Sequence, residues 1–336
     1  MKRKSKKKPI ASLSLDLDNQ WSYLKVHGNP DWQTFPSYLD VVIPRALNFL
    51  GDRGLKITVF VTGQDAALRK NQEAIAAVAA AGHEIGNHLF HHEPDLHRYT
   101  EEEIDREVAL AEDQIRQITG QQPLGFRAIG VNFSPAVLKV LVRRGYQYDA
   151  STCPTFLGPL ARLYHFTTSD LTLEERNTQK SWFGDFKDGF QSLQPYRWSL
   201  GSDQLIEIPV TTLPIFKIPI HFSAVLFISA VSSALALFYF RCALWLCKLT
   251  KTQPSLVLHP VDFLGYEDVP ELAFVAGMSL HRHHKLTVLG QAIQLLLKEF
   301  DICTVRQHAE IVSGACQLPI VELDLPPVIN PVTVTF

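Results

Sequence analysis

The chain has 336 residues, 46% hydrophobic and 20% charged, which suits one large folded domain and argues against a disordered or fibrous chain. A formal net charge of −2 excludes the broad positive field on which nucleic-acid binding depends, so no nucleic-acid partner is expected. The cysteines, Cys153, Cys242, Cys247, Cys303 and Cys316, are odd in number and scattered, which fits reduced thiols rather than a disulfide framework or a cysteine zinc site.

The basic run Lys2–Lys8 reads as a solvated tail, with attraction to anionic lipid headgroups as the alternative. No apolar signal-peptide core follows it, because the segment after Pro9 soon carries Asp16 and Asp18, so a cytoplasmic location is expected. Ile10–Leu17 alternates apolar with small or acidic residues and reads as a first strand. Pro36–Asp52 has helical periodicity ending near Gly51 and Gly54, and Leu55–Thr62 is the continuous β-branched run of a buried parallel strand. The alanine-rich Ala66–Ala81 predicts a helix stopped at Gly82, and His83–Gly86 begins a third strand. The rhythm continues through helix Thr100–Thr119, whose Thr100 and Glu103 form a capping-box pattern, strand Leu124–Ala128, helix Ser134–Arg144 and strand Tyr146–Asp149.

Thr155–Arg197, rich in Pro, Gly and aromatic residues, breaks that rhythm and predicts an irregular excursion lining a substrate groove. Ile206–Thr212, Ser255–Leu258 and Phe300–Val305 are further strands, the last preceded by a helix around Lys285–Lys298. The alternation predicts an α/β fold with a parallel sheet, closed or nearly closed into a single distorted (β/α) barrel. Domain limits follow: a basic tail at 1–9, the barrel domain at 10–316 with an apolar helical insertion at 213–250, and a Pro-rich tail at 317–336. Within the insertion, Phe222–Phe240 is nearly free of charge and about long enough to cross a bilayer. Three readings stay open for it: a transmembrane span, an interfacial helical hairpin touching the membrane over 222–246, or ordinary buried helices.

Barrels of this kind gather their chemistry at the C-terminal ends of the strands, where Asp16, Asp18, His88, His92 and Arg127 fall. His88 and His92 are four apart, which on a helical turn puts both imidazoles on one face within reach of one ion, with His91 as a competing partner for His88. Asp16 and Asp18, one residue apart along a strand, can point the same way and divide the roles of ligand and base. Taken singly, each has an ordinary structural reading. The aspartates can be caps, Arg127 a surface ion pair, Asp149 a turn residue and His259 a loop histidine before proline.

Together these residues resemble the NodB-type polysaccharide deacetylases. Ser14-Leu15-Asp16-Leu17-Asp18-Asn19 is similar to the family's first motif, and His83-Glu84-Ile85-Gly86-Asn87-His88, with Leu89-Phe90-His91-His92 after it, to its histidine motif. Gly125-Phe126-Arg127-Ala128 resembles the arginine motif, Tyr148-Asp149-Ala150-Ser151 the aspartate motif, Leu258-His259-Pro260 the catalytic histidine motif, and Phe300-Asp301-Ile302-Cys303-Thr304-Val305 the last strand. The chain departs from the commonest pattern in its spaced aspartates, in Ala128-Ile129 where a proline is usual, and in Leu89 where serine or threonine is usual.

The resemblance implies a metal-dependent hydrolase of amide bonds in which Asp18, His88 and His92 hold a divalent ion, Zn²⁺ first among candidates. It implies Asp16 as general base, His259 as general acid and Arg127 as the group that orients Asp16. Asp149 is implied to tune the histidine side of the site or to pair with the arginine. The implied substrate is an N-acylated, chiefly N-acetylated, sugar of a polysaccharide or cell-envelope precursor. Spaced aspartates extend this to lipid-linked sugars and so to a location at the inner face of the membrane. Two alternatives remain: a deformylase or amidohydrolase of a smaller amide, and a non-catalytic barrel that binds glycans or lipids.

Overall fold

The computed structural model describes residues 8–323 except 131–133, 170, 173–175, 178, 181 and 316, so the basic run at 2–7, Cys316 and most of the C-terminal tail lie outside the described residues. Strand β1 (Ile10–Asp16) is buried from Ala11 onward and is the axis of the sheet. It runs parallel to β2 (Thr58–Val61) on one side and β8 (Ser255–Leu258) on the other, while β9 (Asp301–Cys303) pairs with its first residues. Beyond β2 come β3 (Glu84–Asn87), β4 (Gly125–Phe126), β5 (Tyr148–Asp149), β7 (Asp203–Glu207), β6 (Tyr196–Leu200) and β10 (Ile320–Glu322). Among the described strands every pairing is parallel except that of β6 with β7. The two sides of the sheet approach each other past β7, where Thr211 N–H donates to Ser255 O at 2.9 Å and Ser255 N–H to Thr211 Oγ1 at 2.9 Å. The expected α/β architecture is therefore present, with this two-bond bridge where a continuous ladder would close the barrel.

Local chemistry sets the element ends. The predicted helix at 36–52 is α2 (Leu39–Gly51), following the short α1 (Gln20–His27). The alanine-rich stretch is two helices, α3 (Gly63–Ala67) and α4 (Arg69–Ala80), separated by an extended Leu68 that periodicity does not reveal. In α5 (Glu101–Thr119) the capping box forms as read, with Glu103 N–H on Thr100 Oγ1 and Thr100 N–H on the Glu103 carboxylate. Strands β4 and β5 shrink to two residues each. There Gly125 is required by close approach, since a Cβ on it would lie 1.9 Å from the Tyr148 ring. After α6 (Pro135–Arg143), the stretch expected to be irregular holds α7 (Gly158–Thr168), a 3₁₀ turn at Phe186–Phe190 and the start of β6 at Tyr196 and Arg197.

The insertion is a helical hairpin, α8 (Phe222–Ser229) and α9 (Ser233–Leu249), and no helix among the described residues is long and apolar enough to cross a membrane. Its inner face, with Phe222, Val225, Leu226, Phe240, Leu244 and Cys247, joins the main core beside α10 (Arg282–Glu299). A final helix, α11 (Val305–Ala315), was not read from the sequence; it seals the bottom of the barrel with Val305, Ala309 and Val312.

Candidate functional site

Asp16 ends β1, Asp18 follows two residues later, His88 follows β3, Arg127 follows β4 and His259 follows β8. With His92 they line one cavity of about 480 Å³ at the C-terminal rim of the sheet.

The segment from His88 to His92 is not helical. Leu89 (φ 63°) and His92 (φ 53°) adopt left-handed backbone, and these two kinks, rather than a helical turn, bring the imidazoles together. The strained loop is held from outside: Gly63 and Gln64 N–H, at the start of α3, donate to Leu89 O (2.8 Å) and Phe90 O (3.0 Å), and Asn87 Oδ1 accepts from Leu89 N–H (2.8 Å). His91 is turned away and binds Glu107 at 2.6 Å, which removes it as a competitor.

Asp18 Oδ1 lies 3.0 Å from His92 Nε2 and 3.4 Å from His88 Nε2, and the ligand atoms of the three residues fall within 4.8 Å of one another. His88 Nδ1 faces the carbonyl of Arg127 at 2.7 Å. A carbonyl only accepts, so Nδ1 carries the proton and Nε2 is left to serve a cation, the tautomer that metal-binding histidines adopt. Burial alone would push His88 down, but Asp18 and Asp16 hold it above the usual imidazole value. Burial pushes His92 down. The buried Asp18 is carried well below the carboxylate range by its two imidazole neighbours, against the opposing cost of its own burial. Three convergent donors, one negative and two imidazole, suit a divalent ion. Behind them Asp65 collects Asn19 (2.7 Å), Trp21 (3.0 Å) and Asn71 (2.9 Å) and so fixes the turn after Asp18, while Trp21 sets its ring edge-on to His92 at 6.0 Å.

Asp16 Oδ1 accepts from Arg127 Nη1 at 2.6 Å. The guanidinium is itself fixed by Ser14 Oγ (2.7 Å), Ala150 O (2.9 Å) and the face of Phe60 at 4.4 Å. Asp149 does not join this group. It is fully buried, accepts from Ser151 Oγ and lies beside its cross-strand partner Glu207, which takes Thr152 and Trp198. The expected link from Asp149 to the arginine or the histidines is therefore replaced by an inward-facing carboxyl pair, and burial beside Glu207 pushes Asp149 well above the carboxylate range.

His259 is half-buried, with Nδ1 3.1 Å from Ser223 Oγ. Ser223 donates to Asp262 Oδ1 at 2.7 Å, and Asp262 Oδ2 accepts the backbone N–H of His259 at 2.9 Å. His221 also lines the cavity, its ring centroid 5.9 Å from that of His259, and burial then His259 push its pKa down to about 3. The sequence reading missed His221, Ser223 and Asp262. The signal available was local: two polar residues at the head of an apolar run, and a carboxylate three residues past His259.

Residues 28–148 match the family model described as polysaccharide deacetylase. The peptidoglycan-N-acetylmuramic acid deacetylase PdaA of Bacillus subtilis is 37% identical over 105 residues, covering 31% of this chain and 39% of that protein. A peptidoglycan deacetylase of Helicobacter pylori is 30% identical over 112 residues, 33% of this chain and 37% of that protein. The chain thus spans about two fifths of the length of the curated relatives it matches. Among solved structures, a Mycobacterium smegmatis protein described as a polysaccharide deacetylase aligns over 96% of this chain and 99% of its own, with TM-score 0.58 and 19% identity. A Pseudomonas aeruginosa protein described in the same way aligns over 91% of both chains, with TM-score 0.57 and 17% identity. Puue allantoinase covers 91% of this chain and 90% of its own, with TM-score 0.57 and 15% identity. These likenesses bear on the fold alone; the matched segment 28–148, which carries the histidine and arginine motifs, is similar to the polysaccharide deacetylase family.

Proposed function

We propose that the chain hydrolyses the N-acyl amide, in the first instance an acetamide, of a sugar in a cell-envelope glycan or its precursor. The observation that carries this is the convergence on one cavity of an arginine-clamped aspartate, a histidine braced at Nδ1 and an Asp-His-His donor set. The donor set suits Zn²⁺, which when bound polarises an acyl carbonyl and lowers the pKa of a coordinated water. Arg127 holds Asp16 with one oxygen occupied, leaving the other to take the proton of the attacking water. His259 gives a proton to the amine nitrogen as the carbon–nitrogen bond breaks and its electron pair passes to that nitrogen.

The relatives' names make peptidoglycan the first glycan to try, and the hairpin argues for a substrate presented at a membrane. On α9 the residues Leu235, Phe238, Trp245 and Leu249 form an exposed stripe, continued by Val231 and Phe227. No Asp or Glu occurs between Glu207 and Asp262, while Arg241, Lys248 and Lys251 lie in or beside the stripe. Lys8, the last residue of the basic run, binds Leu297 O next to Lys298. Apolar anchors ringed by cations fit an anionic bilayer, each basic residue adding about 1 kcal/mol near such a surface. The free thiols Cys153, Cys242, Cys247 and Cys303 suit the reducing, cytoplasmic side of that membrane.

The test incubates zinc-loaded protein with N-acetylated and N-formylated sugars, free and lipid-linked, and measures released acetate or formate. Asp16→Asn and His259→Ala are expected to lower turnover by about 10²–10⁴-fold. Absence of acyl release from every substrate would leave only the glycan-binding barrel. For the membrane arm, anionic vesicles should co-sediment the wild type, and Phe238→Ser/Trp245→Ser should abolish this while leaving turnover of a soluble sugar unchanged.

A further inference from the structure

We infer that Ser223 is a positioning residue that fixes the tautomer and direction of the His259 imidazole, with Asp262 as its anchor and with no part played by Asp149. A serine hydroxyl has a single proton, and Ser223 Oγ lies 2.7 Å from Asp262 Oδ1, which can only accept while ionised. Asp262 accepts on its other oxygen as well, from His259 N–H at 2.9 Å; burial pushes its pKa up, and His259, the bonds from His259 N–H and Ser223, and the buried Lys285 oppose that rise. The hydroxyl proton thus goes to Asp262, and the oxygen lone pair faces His259 Nδ1 at 3.1 Å, where it needs an N–H. Nδ1 therefore carries the proton, and Nε2 is the nitrogen that takes one up and passes it on, on a residue that lines the cavity. When Nε2–H donates to the departing amine, Nδ1–H stays on Ser223 and no proton moves along the relay.

Two further observations fit this assignment. The backbone bond from His259 N–H to Asp262 ties the carboxylate to the residue it serves, so imidazole, hydroxyl and carboxylate form one closed ring of contacts. Asp149, the carboxylate that a motif reading would nominate, has its bonds directed to Ser151 and the Glu207 side of the barrel. The position of Ser223 on the first turn of α8 also makes the insertion part of the site.

This rests on the proposal that His259 is the proton donor, and the experiment separates the two. In the full-length chain, ¹⁵N spectra of the imidazoles, recorded above the ordinary imidazole range and assigned to His259 with His259→Gln, report the tautomer without any substrate. The wild type should show Nδ1–H. Ser223→Ala should shift His259 toward Nε2–H and lower kcat by about 10-fold or more, a part of the 10²–10⁴ that a placed proton donor supplies, with KM nearly unchanged. Ser223→Thr should restore both readings. A wild type found as Nε2–H, or a folded Ser223→Ala with unchanged tautomer and kcat, overturns the inference; if Ser223→Ala does not fold, a wild type or a Ser223→Thr found as Nε2–H overturns it. If no acylated sugar is turned over but the tautomer follows Ser223 as stated, the positioning stands and the hydrolase reading falls.

Discussion

The Asp16–Arg127 pair gives the sharpest energetic test of the site. Both side chains are nearly dry, 11% and 3% exposed, so removing one leaves the other charged and buried without its partner. Loss of one member of such a pair costs about 3–5 kcal/mol, whereas replacing both by neutral groups of similar shape costs much less. Asp16→Asn and Arg127→Met keep the volumes, and the methionine stem can still lie against Phe60, which the guanidinium now covers at 4.4 Å. Arg127→Met also loses bonds to Ser14 and Ala150, but these losses occur on both sides of a double-mutant cycle and cancel. Urea unfolding of the wild type, both singles and the double should therefore give a coupling of about 2 kcal/mol or more in favour of the intact pair. The same cycle in kcat should be strongly non-additive if, as proposed, Asp16 is the base and Arg127 acts through it. A coupling under about 0.5 kcal/mol, with additive losses of kcat, would show that the guanidinium serves the fold and not the base.

Other outcomes follow from single contacts. His92→Gln should weaken zinc binding by about 10-fold or more without unfolding the chain, read by competition with a chromogenic chelator, because Asp18 would keep only His88 as an imidazole partner. Gly125→Ala should lower thermal stability by about 1–3 kcal/mol, since the new methyl would sit 1.9 Å from the Tyr148 ring, and a change under a few tenths would refute the close packing. His308, buried between Ser12 and Gln253, has its pKa lowered by burial from 6.5 to about 4. Below pH 6.5 the unfolded imidazole takes a proton that the folded one refuses, so stability is lost as pH falls from 6.5 to 4, by about 3 kcal/mol at about 1.36 kcal/mol per pH unit. Urea titrations across that window should flatten in His308→Gln. Phe222→Ala should cost about 3–5 kcal/mol and reduce kcat as well, because the lost ring anchors the helix that carries Ser223.

What the sequence disclosed and what it hid divide along range of interaction. Strands β1, β2 and β8, buried along nearly their whole length, were legible as short apolar runs, and helices α2, α5 and α6 by their helical period, with local caps at Thr100 of α5 and Ser134 of α6. The cluster of Asp16, Asp18, His88, His92, Arg127 and His259 was legible because a (β/α) topology sends every strand end to the same rim. The left-handed kinks at Leu89 and His92 were hidden, since the loop is held in that backbone by bonds to the α3 N-terminus, Asn87 and Glu107 that a local pattern does not show. Asp149 was misjudged for a related reason. A motif fixes a position along a strand, but here the direction of its carboxyl is set by Glu207 on the neighbouring strand, far away in sequence.

The insertion shows how one stretch of sequence can meet three demands at once. In α8, Phe222, Val225, Leu226 and Ser229 are buried, so the helix is seated on the barrel by one face. Ser223, one residue on and about 100° round the axis, then falls toward the rim where His259 and Asp262 wait. In α9 the buried set Ala236, Phe240, Ala243, Leu244 and Cys247 alternates with the outward set Leu235, Phe238, Trp245 and Leu249. A segment that is apolar on both faces reads in one dimension as a membrane span, because a hydropathy sum does not distinguish an inner face from an outer one. Broken at 230–232, the same residues instead give an anchor, an exposed apolar surface and a side chain of the site. A hydrolase whose substrate is held at a bilayer would need these in one rigid piece, since the distance from the membrane to the proton donor is then fixed by two packed helices and not by a loop.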